Sequence, residues 1–149
     1  MELPEVTLRA ARPSDAMAIA RIMRASLASF DWMPTLHTPG EDLAFITRNV
    51  VPTHKVTVAE RAGHLLGFIA IRDLWVEQFY LFPAWTGRGI GALLLSTATS
   101  KMPLVMLHCF QANAGARRFY ERHRFKAEAF GDGSANEERL PDILYVRRG

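Results

Sequence analysis

Cysteine is nearly missing: Cys109 stands alone and cannot close an internal disulfide, so the 149-residue chain reads as a protein of a reducing compartment, with the cytoplasm as its expected location. No apolar run approaches the ~20 residues that span a bilayer. The first residues, Met1, Glu2, Leu3, Pro4 and Glu5, lack the basic start and apolar stretch of a signal peptide, so no membrane partner is expected. Nor does one sign of charge dominate. The 18 Lys+Arg and 15 Asp+Glu give +3, and the basic residues are scattered rather than striped, which argues against dedicated nucleic-acid binding. No metal-ligand spacing occurs, and no metal is expected. Repeats and linkers are also missing, and a chain that is 49% hydrophobic at this length fits one domain over residues 1–149.

What is there alternates between strand and helix patterns. Residues 6–9 alternate as a short strand, and Arg12, Pro13, Ser14 and Asp15 supply turn and helix-start chemistry. Ala16, Ile19, Ala20, Met23, Leu27 and Phe30 then recur at helical spacing. After an irregular stretch at 31–37, Thr38, Pro39 and Glu41 form a capping-box signature for a second helix running to about Val50 and ended by Pro52. Residues 55–60 and 65–71 read as an antiparallel pair about Gly63. A third strand at 74–82 places Trp75, Phe79 and Leu81 on one face and Leu74, Val76, Tyr80 and Phe82 on the other, so it is expected at the centre of the sheet, with Glu77 the polar exception. A glycine-rich turn leads to a helix with Ile90, Leu93, Leu94, Ala98 and Met102 on one stripe. The chain closes with a strand at 104–109, a helix opened by Asn113, and two strands flanking a polar loop at 131–136.

Gly87, Gly89 and Gly91 alternate with other residues just before a helix, a pattern that lets backbone approach a ligand and points first-turn amides at an anion such as a phosphate. A tight connection with no ligand uses glycines in the same way. The P-loop motif fails because no Gly-Lys-Ser/Thr follows. Gly87, Gly89 and Ala92 satisfy the dinucleotide fingerprint, but the next strand ends in His108, Cys109, Phe110 and Gln111, without the carboxylate that would hold a ribose. A nucleotide-dependent oxidoreductase is thereby disfavoured.

The segment from Phe79 through Pro83, Thr86, Gly87, Arg88, Gly89, Ile90 and Gly91 to Leu94 resembles the acetyl-coenzyme A motif of the GCN5-related N-acetyltransferase (GNAT) family, whose loop reads Gln/Arg-x-x-Gly-x-Gly/Ala. Asn113, Ala116, Phe119, Tyr120, Glu121 and Phe125 are similar to the family's second motif. The order of elements extends the resemblance over essentially the whole chain. It implies an α/β (α+β) acyl-CoA N-acyltransferase fold: a mixed, mostly antiparallel sheet with about four helices, splayed at the strand before the glycine loop. Two positions depart from the pattern. Thr86 stands where Gln or Arg is usual, and Arg124 where Gly commonly precedes the closing Phe.

The resemblance implies an enzyme that transfers an acetyl group from acetyl-CoA to a primary amine of a small molecule or peptide, by direct attack in a ternary complex. By the same match, backbone groups of Phe79, Tyr80 and Leu81 hold the pantetheine arm, amides from Thr86 through Gly91 hold the pyrophosphate with Arg88 adding charge, and Asn113 belongs to the cofactor-binding set. Tyr120 aligns with the general acid toward sulfur; packing on a helix face is its other reading. For the base there are Glu77, between aromatics on the central strand where desolvation favours proton uptake, and His108, whose imidazole suits proton transfer near neutrality. Water relaying the amine's proton is the third option. Acceptor selection falls to residues 31–37, where core or oligomer contacts are the other reading of Trp32 and Met33, and to the late loop with Asp132, Glu137 and Glu138, whose acidity suits a cationic amine and equally suits a solvated turn. The resemblance also allows a homodimer. A noncatalytic acyl-CoA-binding module is the rival reading, against which Tyr120 and Glu77 both argue.

Overall fold

Strand formers and helix formers separate along this chain much as their patterns predict, and the computed structural model, which describes residues 5–149, assembles them about one seven-stranded sheet ordered β1-β2-β3-β4-β5-β7-β6. The amino-terminal stretch read against a signal peptide lies, apart from Glu5, outside the described residues. The strands are β1 (Thr7–Ala10), β2 (Lys55–Arg61), β3 (His64–Arg72), β4 (Trp75–Leu81), β5 (Leu104–Phe110), β6 (Lys126–Gly131) and β7 (Asp142–Arg148). The helices are α1 (Ala16–Ala28), α2 (Pro39–Phe45), α3 (Ile90–Thr99) and α4 (Ala114–Arg122), with a π-helical turn Ile46–Val50 extending α2. Among the described residues no helix is long and apolar enough to cross a membrane.

Local chemistry fixes the helix starts. Thr38 and Glu41 close the expected capping box, with Glu41 N–H donating to Thr38 Oγ1 at 3.1 Å and Thr38 N–H to Glu41 Oε1 at 2.8 Å. Ahead of α1, Arg9 on β1 donates to Asp15 Oδ2 at 2.8 Å and to Glu60 Oε2 at 2.9 Å, tying the first strand, the helix start and β2 together. Asn113 caps α4, accepting from Ala116 N–H at 3.1 Å.

The sheet buries both faces. Ile69 and Ile71 of β3 join α3 and α4 side chains in one cluster, while Phe68 and Ala70 join α1 and the α2 extension in the other. Fully buried side chains such as Phe68, Ile69 and Leu94 each contribute roughly 1.5–3 kcal/mol.

The central strand departs from the simple alternation predicted for it. Ile71 pairs with Val76 but Ala70 pairs with Gln78, so Glu77 is an extra residue, a β-bulge. The bulge shifts the side-chain parity by one. Val76 therefore packs with Phe79 and Leu81 on the α3/α4 face, not with Tyr80 and Phe82, which face α1. Beyond this point β4 and β5 separate: their parallel pairing is confined to Trp75 and Met106, with Met106 N–H donating to Leu74 O at 2.9 Å. The sheet opens where the resemblance expects it to.

Candidate active site

The glycine loop forms the first wall. A 3₁₀ turn, Pro83–Trp85, leads to Gly87 at φ 74° and Gly89 at φ 85°, left-handed conformations that glycine adopts without steric cost. Thr86 turns away: its hydroxyl donates to Pro83 O at 2.8 Å and its amide to the same oxygen at 3.3 Å. That amide is already bonded, whereas among the described residues no loop, turn or side-chain hydrogen bond uses the amides of Gly87, Arg88, Gly89, Ile90, Gly91 or Ala92. Those of Ile90, Gly91 and Ala92 form the first turn of α3, where the helix itself offers no acceptor and the dipole favours an anion. Ile90 is fully buried and is absent from the cavity lining. The Arg88 guanidinium lies 4.9 Å from the centre of the Trp85 ring, and Arg88 is absent from the cavity lining.

The open edge of β4 forms the second wall. Phe82 N–H donates to Leu66 O on the β3 side at 2.9 Å. Strand alternation therefore turns the peptide groups of Tyr80 toward β3 and those of Phe79 and Leu81 into the gap left by β5. Tyr80 contributes its side chain instead. Its phenol is pushed up to about 12 by burial, with Glu138 adding to the effect.

Between these walls and α4 lies a cavity of about 620 Å³. It brings together Phe79, Tyr80, Leu81, Thr86, Gly87, Gly89, Gly91, Asn113 and Tyr120 from the predicted set. Asn113 spends its oxygen on the α4 cap, which leaves its amide nitrogen to donate. Tyr120 packs against Phe79, Phe119, Phe125 and Tyr145 with ring centres 5.4–6.5 Å apart, and its hydroxyl has no hydrogen-bond partner among the described residues. Burial, then the neighbouring Cys109 and Tyr80, push its phenol well above the ordinary range, so it keeps its proton at neutral pH.

Sequence reading missed part of the lining. Ser26 and Phe30 of the α1 end reach the cavity, so it passes through the splay from one face of the sheet to the other. Phe30 had an apolar helical spacing that matched the core stripe equally well. Arg118, Arg122 and His123 line the outer part. Arg118 and Arg122 stand four residues apart on one helix face and neither takes part in a described ion pair, a like-charge arrangement that invites an anion.

Both side-chain candidates for the base lie elsewhere. Glu77 is absent from the cavity lining; its carboxylate binds His54 Nε2 at 3.0 Å and Arg72 Nη2 at 3.0 Å. The bulge turns it away from the reaction space that unbroken alternation had assigned to it. His108 is exposed and stacks on Trp75 at 5.2 Å, also outside the lining. On the α1 face an aromatic wall forms next to the cavity, with Trp32 stacked on Phe30 at 4.8 Å and edge-on to Phe110 at 5.9 Å. His37 reaches Glu137 at 2.5 Å, joining the α1–α2 loop to the β6–β7 loop. Glu138 and Met33 line a small adjoining hollow of about 90 Å³.

Comparisons with known proteins agree with this architecture. The model of the acetyltransferase (GNAT) family matches residues 21–125. The peptidyl-lysine N-acetyltransferase YiaC of Escherichia coli (strain K12) is 33% identical over 69 residues, 46% of this chain and 47% of that protein, so the match spans about half the length of this curated relative. A GCN5-related N-acetyltransferase structure from Rhodopseudomonas palustris superposes with a TM-score of 0.79 at 18% identity, covering 100% of this chain and 99% of that one. The structure of yncA, a putative acetyltransferase from Salmonella typhimurium with its cofactor acetyl-CoA, gives 0.76 at 21% identity over 97% and 94% of the two chains. At these identities the structural likeness is one of fold.

Proposed function

Since the chain belongs to the acetyltransferase (GNAT) family, we propose that it transfers an acetyl group from acetyl-CoA to a primary amine by direct attack in a ternary complex. The observation that carries this reading is the cavity that crosses the sheet: free amides and unpaired arginines lie toward one mouth, and Ser26 and Phe30 lie at the other. Donor and acceptor can enter from opposite faces and meet in the splay.

The residues suit coenzyme A. The amides of Gly87, Gly89, Gly91 and Ala92, which line the cavity at the start of α3, match the pyrophosphate. The outward peptide groups of Phe79 and Leu81 match the amides of the pantetheine arm, and Arg118 and Arg122 match the remaining phosphate. Bound there, acetyl-CoA supplies an activated thioester. Tyr120 then donates its proton to the departing sulfur, a role that its protonated state and unpaired hydroxyl support. With Glu77 and His108 both outside the lining, we assign removal of the amine's proton to water in the open acceptor mouth.

For the acceptor, the aromatic wall of Phe30, Trp32 and Phe110 fits the aliphatic stem of an amine, and Glu138 offers a nearby carboxylate. The partial relative acts on peptidyl lysine, which favours a lysine side chain of a peptide over a compact small molecule. Thiol release from acetyl-CoA, followed over lysine peptides and small amines, tests the proposal. Turnover with lysine peptides supports it in full, and turnover only with small amines removes the acceptor assignment. Binding with no turnover on any amine favours a noncatalytic acyl-CoA module.

A further inference from the structure

The carboxylate of Glu77, unused by the reaction, is one end of a short chain of hydrogen bonds. Glu77 is the extra residue of the β4 bulge. Its side chain reaches His54, on the connection between the π-helical turn and β2, at 3.0 Å, while Arg72 Nε donates to its other oxygen at 3.1 Å. The His54 side chain is only 5% exposed. Its Nδ1 lies 2.8 Å from Thr53 Oγ1 and 3.2 Å from Val50 O. The Thr53 hydroxyl spends its own proton on Asn49 O, and a carbonyl only accepts, so Nδ1 is the donor to both, and the contact between Nε2 and the Glu77 carboxylate holds one further proton shared by the pair. The ring is thus fixed by the helical turn on one side and presents Nε2 to the bulge on the other.

The bulge has a consequence for the site. Without the extra residue, the parity of β4 would turn the peptide groups of Tyr80 into the gap and those of Phe79 and Leu81 toward β3. A bulge leaves one residue unpaired in the ladder and needs some other restraint to hold it in place. Glu77 is that unpaired residue, and its restraint is a nearly buried imidazole.

We propose that the Glu77–His54 pair is a positioning device that locks the β4 bulge and so aims the Phe79 and Leu81 peptide groups at the pantetheine arm. The role rests on the acetyl-CoA reading above for its purpose, though the geometric claim stands apart from it. Arg72, at 53% exposed, is an auxiliary contact to the same carboxylate.

The test compares wild type with Glu77→Gln and His54→Gln. Both variants should raise the KM and the calorimetric Kd for acetyl-CoA about tenfold, with the acceptor KM, kcat at saturating acetyl-CoA and the pH profile of kcat unchanged. Amide hydrogen exchange at Tyr80 and Phe82, whose peptide groups face β3, followed by NMR without ligand, should accelerate in Glu77→Gln while that of β7 stays as in wild type. An unchanged Kd together with unchanged exchange at these two amides overturns the proposal. So does a collapse of kcat with loss of its acidic limb, which would make Glu77 the proton acceptor. If His54→Gln does not fold, the exchange comparison on Glu77→Gln decides alone. Failure of wild type to bind acetyl-CoA sinks the functional reading instead, and the exchange result still tests the clamp.

Discussion

Replacing Tyr120 by Phe separates packing from chemistry at one atom. The ring contacts with Phe79, Phe119, Phe125 and Tyr145 are kept, and the hydroxyl that is lost has no protein partner among the described residues, so no buried donor or acceptor is orphaned. Stability should therefore change by less than about 0.5 kcal/mol, and Kd for acetyl-CoA should stay within about twofold. If Tyr120 protonates the departing sulfur, kcat should fall by roughly 10²–10⁴-fold, which is about 3–5 kcal/mol of barrier. Thermal unfolding, calorimetric binding and thiol release under saturating donor and acceptor read the three quantities separately. A kcat within threefold of wild type, in a variant that binds and folds normally, would refute the role and return Tyr120 to packing.

Three further outcomes follow from named residues. Arg124 sits at φ 70°, a conformation that costs an L-residue roughly 1–2 kcal/mol, so Arg124→Gly should stabilise the fold by about 1 kcal/mol and raise Tm by about 2–4 °C in a thermal melt. Wild type should bind acetyl-CoA more tightly than acetyl-dephospho-CoA, and an Arg118→Gln, Arg122→Gln pair should abolish that preference in calorimetry; a preference retained by the pair removes the arginines from phosphate binding. Asp15 is held below the ordinary carboxylate range by the Arg9 guanidinium, so its stabilisation is fully present above about pH 3.9 and is lost as pH falls through the lower folded value. Asp15→Asn should accordingly cost about 1–3 kcal/mol at neutral pH in denaturant unfolding, and the difference from wild type should shrink in acid.

The elements were legible because local signals agreed with the fold. Thr38, Pro39 and Glu41 wrote the start of α2, Asn113 the start of α4, and Gly87 and Gly89 the turn into α3. The α3 stripe was read less well: Leu95 is buried and Leu93 only partly so, because a helix apolar on most sides gives periodicity little to choose from. The bulge at Glu77 was invisible, since an extra residue leaves the composition of a strand intact and shows only in its pairing with β3. That one residue accounts for the misplaced face of Val76 and for the position of Glu77 outside the cavity. The two departures from the family motif were legible as oddities, and their physical content came from structure: Thr86 serves the Pro83 turn, and Arg124 adopts the left-handed conformation for which glycine is suited. Phe30 and Arg118 were in plain sight, but which cavity they line depends on how α1 and α4 sit about the splay.

The central claim is that the amides of the glycine loop hold acetyl-CoA, and calorimetric titration of acetyl-CoA into wild type and Gly89→Trp tests it most directly. Gly89 is the left-handed N-cap of α3 and lines the cavity, so an indole there crowds the loop that the anion would approach. The account predicts micromolar binding by wild type and at least a hundredfold loss in a folded variant. Equal binding by both, or no binding by folded wild type, would contradict it.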